Sequence, residues 1–174
     1  PPPRLRAHDP PPTPAEAMHF ADGQIKDDVY VYGSFVQSKM YHAGVTCSDC
    51  HEPHTMALKM PGNGVCLQCH SVAKYDQPEH HFHQKASAGA SCAECHMPPR
   101  TYMVVDPRHD HSMRIPRPDL SVKLATPNAC NNCHKDKDAN WADQQVKAWY
   151  GDKPEAFQTY APALHLARQD GAGA

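Results

Sequence analysis

All eight cysteines of the 174-residue chain fall into four pairs at one spacing, and a histidine follows each pair. The pairs are Cys47/Cys50, Cys66/Cys69, Cys92/Cys95 and Cys130/Cys133, and the following residues are His51, His70, His96 and His134. Two cysteines at i and i+3 lie on one face of a helical turn. Both sulfurs can therefore reach the two vinyl groups on one edge of a porphyrin, and the adjoining imidazole projects over the ring toward an iron. Cys-x-x-Cys-His is the pattern of c-type haem attachment, with the motif histidine as proximal ligand. The spacing predicts four covalently bound haems.

Zinc and disulfides are the rival readings. Fifteen residues separate Cys50 from Cys66, a zinc-ribbon interval, but 34 separate Cys95 from Cys130, a poor one. Neither rival needs a histidine after every second cysteine. Histidine makes up 14 of 174 residues, so four such placements by chance have a probability on the order of a few in 100,000, which favours the haem motif. A bond within Cys-x-x-Cys is usually a redox device and leaves the repeated histidine unexplained.

Composition agrees. The mean hydropathy is -0.71, with 18 Pro but only 2 Trp and 4 Phe. So few apolar side chains should hardly offset the entropy of ordering the chain. Large flat haems would supply the missing core. The expected fold is mostly irregular, with short α-helices, a haem core and little or no β-sheet. Residues 1–17 read as an extended, proline-rich arm in polyproline II, with a disordered terminus as the alternative. Residues 18–150 form the expected tetrahaem domain, and 151–174 a helical segment or tail. Within these, Asp27 to Met40 is a first plausible helix. Each motif should occupy a helical turn, and Pro98 to Pro127 should be an irregular strap. Asp138 to Tyr150 carries an apolar stripe of Trp141, Val146 and Trp149 ahead of Gly151, a good position for a helix stop. A last helix is expected over Phe157 to Arg168. The motif recurs at unequal intervals, so no regular solenoid is expected.

A second axial position on each iron needs a ligand. His42, His54, His83 and His111 form the expected distal set. His19 is held in reserve, with a neighbouring subunit's haem as its possible target. His54 leaves the chain beside the proximal face of the first haem, so as a ligand it must serve another haem and draw two haems together. His80, His81 and His109 stand behind His19 as further reserves, although solvated imidazoles or propionate partners are the favoured reading for them, and His8 and His165 are expected at the surface. Seven Met are available as alternative ligands, but Met97 fits packing against a porphyrin. Histidine in such excess predicts bis-His, low-spin haems of low potential. Eight propionates would make the assembled protein more acidic than its formal charge of -2. Arg100, Arg108, Arg114, Arg117 and Lys123 either pair with propionates or form a solvated basic loop.

Several further stretches carry a family likeness. They are Asp22-Gly23-Gln24-Ile25, Tyr32-Gly33-Ser34-Phe35, Tyr41 to Cys47 and Cys95-His96-Met97-Pro98, then Tyr102 to Asp106 and Asp110-His111-Ser112, then Ile115 to Leu120 and Asn128 to Trp141. With them the chain resembles the multihaem cytochromes c with doubled Cys-x-x-Cys-His motifs, in particular the haem-binding portion that often precedes tetratricopeptide repeats. The likeness implies electron transfer without bond chemistry, through closely spaced haems. In that family further motifs usually lie upstream and helical repeats follow, so the chain reads as a compact relative or a segment of a longer protein. Its build is also similar to extracellular cytochromes that polymerise into filaments, which implies a homopolymer sharing haem ligands between subunits. Wider relatives include nitrite- and hydroxylamine-type oxidoreductases with one open iron. Tyr102, His109, His111 and Arg114 would line such a site, although no motif here replaces its histidine by lysine. Haem is attached to these motifs outside the cytoplasm, so a periplasmic, cell-surface or extracellular location is expected. Redox proteins or extracellular acceptors are the expected partners. Nucleic acid is not among them, and no run is long enough to span a membrane.

Overall fold

In the computed structural model, residues 18–27, 30–152 and 158–171 are described. They contain eleven short α-helices, and a single two-stranded sheet joins them. The expected fold class, coil with short helices and almost no sheet, is what the chain adopts. The N-terminal arm lies outside the described residues.

The motifs nucleate local turns. Helix α3 is Cys47–Cys50, α7 is Cys92–His96 and α9 is Cys130–Cys133, while α4, Gly64–Leu67, holds the first cysteine of the second pair. Thr46 and Asp49 form a capping box around α3. The helix expected over Asp27 to Met40 is broken. Helix α1 spans Val31–Phe35, and α2, Lys39–His42, starts afresh with Ser38 accepting from the Tyr41 amide at 3.0 Å. Gly33 and the β-branched residues disfavour one continuous helix, and Ser38 offers a competing cap.

The strap between Pro98 and Pro127 is more ordered than its prolines predicted. Strand β1, Pro99–Tyr102, pairs antiparallel with β2, Asp106–His109, and helix α8, Pro118–Leu124, follows. Pro118 stands at the first turn of α8, where its fixed φ suits a helix and its missing N–H is no loss. Helix α10, Ala139–Tyr150, starts on Asp138, whose carboxylate accepts from the Trp141 amide at 2.8 Å. It packs on α8, and its Ala142 is fully buried. Helix α11, Ala161–Gly171, occupies the C-terminal region where a last helix was expected.

Among the described residues, prolines aside, nine apolar side chains are buried and five of those are alanine, whereas twelve polar or charged residues are buried. The polypeptide's own apolar core is thus thin, as its composition predicts. Its centre is polar instead. Arg114, 6% exposed, donates from Nε to Asp110 at 3.1 Å and to Ser112 at 2.7 Å, and from Nη1 to the Asp22 carbonyl at 3.1 Å. Tyr160 donates to the same carbonyl at 2.9 Å. Gln24 donates to Asp22 at 2.7 Å and to the Pro127 carbonyl at 2.7 Å. The 18–25 segment, the strap and the C-terminal region therefore meet on one buried arginine.

Candidate functional site

No disulfide joins any of the eight cysteines, and no three His, Cys, Asp or Glu side chains converge on a metal position among the described residues. The thiols are neither bridged nor gathered into a zinc-like cluster. They stand in adjacent pairs along the molecule. Burial raises the Cys50 thiol, and Asp49 and then Cys69 of the second motif add to the shift. Cys66 and Cys92 share a hydrogen bond that holds Cys92 low and Cys66 high. Asn63 reinforces that junction: its side chain accepts from the Cys92 amide at 2.9 Å and donates to the Ala90 carbonyl at 2.9 Å. Burial lifts Cys95 to about 11, with Cys130 and Cys133 adding to it. Each motif is thus within electrostatic reach of the next in chain order.

Three motif histidines face a second imidazole. His51 and His111 have ring centres 6.3 Å apart and planes 28° apart. His80 and His96 are 6.1 Å apart at 9°. His83 and His134 are 6.2 Å apart at 37°. Two imidazoles that hold one first-row metal through Nε2, at about 2.0–2.1 Å each, have ring centres roughly 6 Å apart.

The hydrogen bonds at the other ring nitrogen fit the same use. Nδ1 of His51 lies 2.7 Å from the Met56 carbonyl, that of His96 2.9 Å from the Arg114 carbonyl and that of His111 2.8 Å from the His109 carbonyl. Nδ1 of His83 is held by the His81 carbonyl. A carbonyl only accepts, so each Nδ1 carries the proton and leaves Nε2 with its lone pair, the arrangement that orients a metal ligand. Burial also pushes His80, His96 and His111 below the usual imidazole range, keeping them neutral. For His96 the Arg114 carbonyl works against that shift.

His83 and His111 of the expected distal set therefore lie opposite motif histidines. His80, read from sequence as solvated, does so too. The pattern Pro-Glu-His-His-Phe-His was the available signal, since helix α6, Pro78–His81, and the turn after it present His80 and His83 in different directions. His81 is set apart by its tautomer: its Nδ1 accepts from the His83 amide at 3.2 Å, so its proton sits on Nε2.

Among the described residues, the facing pairs leave out His42, His54 and His19. His42 is exposed on α2, with its ring 5.5 Å from Tyr41. His54 is exposed in a turn held by Glu52, which accepts from its amide at 2.9 Å. His19 is 3% exposed, inside the chain rather than on a face a neighbour would meet. His70 makes its ring contact with Tyr75, edge-on at 5.5 Å. His109 donates from Nδ1 to the Met97 carbonyl at 2.7 Å. The strap's basic residues mostly meet the chain's own carboxylates: Arg108 pairs with Asp106, Arg114 with Asp110, and Arg117 and Lys123 with Asp119. Arg100 lies over the Phe20 ring at 5.1 Å.

A family model for the doubled CXXCH motif matches residues 40–75. That stretch contains the first two motifs and is a c-type haem attachment feature of the kind found in electron-carrying cytochromes. No curated protein and no solved structure matches the chain. No described helix is long and apolar enough to cross a membrane.

Proposed function

We propose that the chain binds four c-type haems, one on each Cys-x-x-Cys-His motif, and passes electrons along them outside the cytoplasm. The observation that carries this reading is the set of three facing imidazole pairs, each built on a motif histidine, at 6.1–6.3 Å. The irons supply one-electron chemistry. The chain would offer two imidazoles to each of the first, third and fourth irons, and carbonyls at Nδ1 of His51, His83, His96 and His111 leave Nε2 of those rings free for a metal. On this reading the first haem takes His51 and His111, the third His96 and His80, and the fourth His134 and His83. The second takes His70 together with His54 or His42, the two expected distal residues nearest the first motif. Adjacent motif thiols in chain order support a conduit with haems one to four as neighbours.

The test is a pyridine haemochrome assay with intact mass on the matured protein. Four haems per chain and low-spin signals are expected; a smaller count, or a protein without a c-type absorption band, would overturn the assignment. His54→Ala and His42→Ala then identify the second haem's ligand by which of them creates a high-spin signal. Carbon monoxide binding to the native protein would favour the alternative, an oxidoreductase portion with one open iron. That reading draws on the Tyr75 ring, which meets His70 where the other motif histidines meet an imidazole. A homopolymer sharing ligands would appear as a large particle in light scattering, and a monomer with four six-coordinate irons excludes it.

Gly89 gives a further check. A Cβ there would collide with the His83 ring. Gly89→Ala should displace that imidazole and produce a high-spin component from one haem of four, read by electron paramagnetic resonance. An unchanged spectrum would remove His83 from the fourth haem.

A further inference from the structure

We propose that Trp149 and Tyr150, the last two residues of α10, are positioning residues for two axial ligands, His83 and His80. This rests on the reading that those histidines ligate the fourth and third haems.

The two histidines sit three positions apart, on either side of a bend. Phe82 makes the bend with φ 55°, in the left-handed region that non-glycine residues seldom adopt. Such a residue stays there when its surroundings hold it. Trp149 provides that hold: its ring stacks on Phe82 with centres 4.7 Å apart and planes 2° apart. The same indole meets His83 edge-on at 6.1 Å and 76°. Tyr150 closes the other side, with its ring 5.6 Å from Phe82 and 6.2 Å from His80. Its hydroxyl donates to the His80 carbonyl and lies 3.4 Å from His80 Nδ1.

Four of the ligating histidines, His51, His83, His96 and His111, anchor Nδ1 on a backbone carbonyl, whereas His80 has the Tyr150 hydroxyl 3.4 Å from that nitrogen. A hydroxyl can accept from Nδ1 while donating onward to the carbonyl. An Nδ1–H bond makes an imidazole a stronger electron donor to its metal, so Tyr150 should hold the third haem's potential down. Helix α10 suits the task because it is fixed elsewhere. Asp138 caps its start, the helix packs on α8, its Ala142 is fully buried, and Trp141 lies 4.8 Å from His134, the other imidazole of the fourth pair. One helix thus touches both imidazoles of the fourth pair and the distal imidazole of the third.

The experiment compares the matured wild-type protein with Tyr150→Phe, Trp149→Ala and Trp149→Phe, by haem count, redox titration and electron paramagnetic resonance. Tyr150→Phe keeps the ring and removes the hydroxyl. It should raise the potential of one haem and leave three unchanged, with four haems retained. Trp149→Ala should broaden or partly convert to high spin one low-spin signal, and Trp149→Phe should restore it. Potentials and spectra identical to wild type for Tyr150→Phe and Trp149→Ala would overturn the proposal. If Trp149→Ala fails to fold, the Tyr150→Phe titration decides alone. Failure of the underlying reading is distinguishable: wild type would lack bis-His low-spin signals, or His80→Ala and His83→Ala would leave them intact.

Discussion

Replacing Arg114 with alanine is expected to destabilise the protein by about 3–5 kcal/mol, the usual cost of removing one partner from a buried ionic group. Arg114 is 6% exposed, and Asp22 and Asp110 on either side of it are 2% and 8% exposed. Its guanidinium lies 3.1 Å from Asp110 and 3.5 Å from Asp22. Without it Asp110 loses its ion pair and Asp22 keeps only the weaker field of Arg117, while both carboxylates stay buried. The backbone contribution should survive, since the residue 114 amide still donates to the His96 carbonyl and its own carbonyl still faces His96 Nδ1. Loosening of the strap would nevertheless be felt at His96. Denaturant unfolding followed by circular dichroism measures the loss. A midpoint within error of wild type would show that the buried network contributes nothing net. Replacement of Arg114 by methionine separates the two causes, because it restores volume without charge.

On the proposed four-haem reading, His80→Ala should leave every haem attached and turn one of them from low to high spin. On that reading attachment depends on Cys92, Cys95 and His96, which the substitution does not touch, whereas the second imidazole proposed for the third haem is removed. The neighbouring His81→Ala serves as the control. Its Nδ1 accepts an amide proton rather than donating to a carbonyl, and it faces no motif histidine among the described residues, so its spectrum should match wild type. The two substitutions differ by one position in a four-residue helix. A high-spin signal from His81→Ala, or none from His80→Ala, would reverse the assignment of the third haem.

That contrast shows how far the sequence could be read. His80 and His81 are identical in type and adjacent, and composition treats them alike. What separates them is the direction each leaves α6 and the partner each nitrogen finds. Nothing local to either residue encodes those facts. The same holds for Trp141 and Trp149. Their spacing marks an apolar stripe, and a stripe normally means core, but here their rings lie against His134 and His83. The strap departs from its expected irregularity for a related reason. Its prolines argue against regular structure, yet Pro99 and Pro107 sit in a sheet that has, among the described residues, no further strand to demand their missing amides, and Pro118 opens a helix.

The sequence by itself determined the attachment chemistry and the class of fold. Cys-x-x-Cys-His acts over a single helical turn, so spacing alone sets its geometry, and a chain this poor in apolar side chains can build only a thin core of its own. The tertiary structure decided which histidines stand opposite the motif histidines. His111 reaches His51, His83 reaches His134 and His80 reaches His96 through folding that brings distant segments together. A facing pair is a relation across space between two rings and their Nδ1 partners, and it exists only once the buried Arg114 network and α10 have set the segments in place.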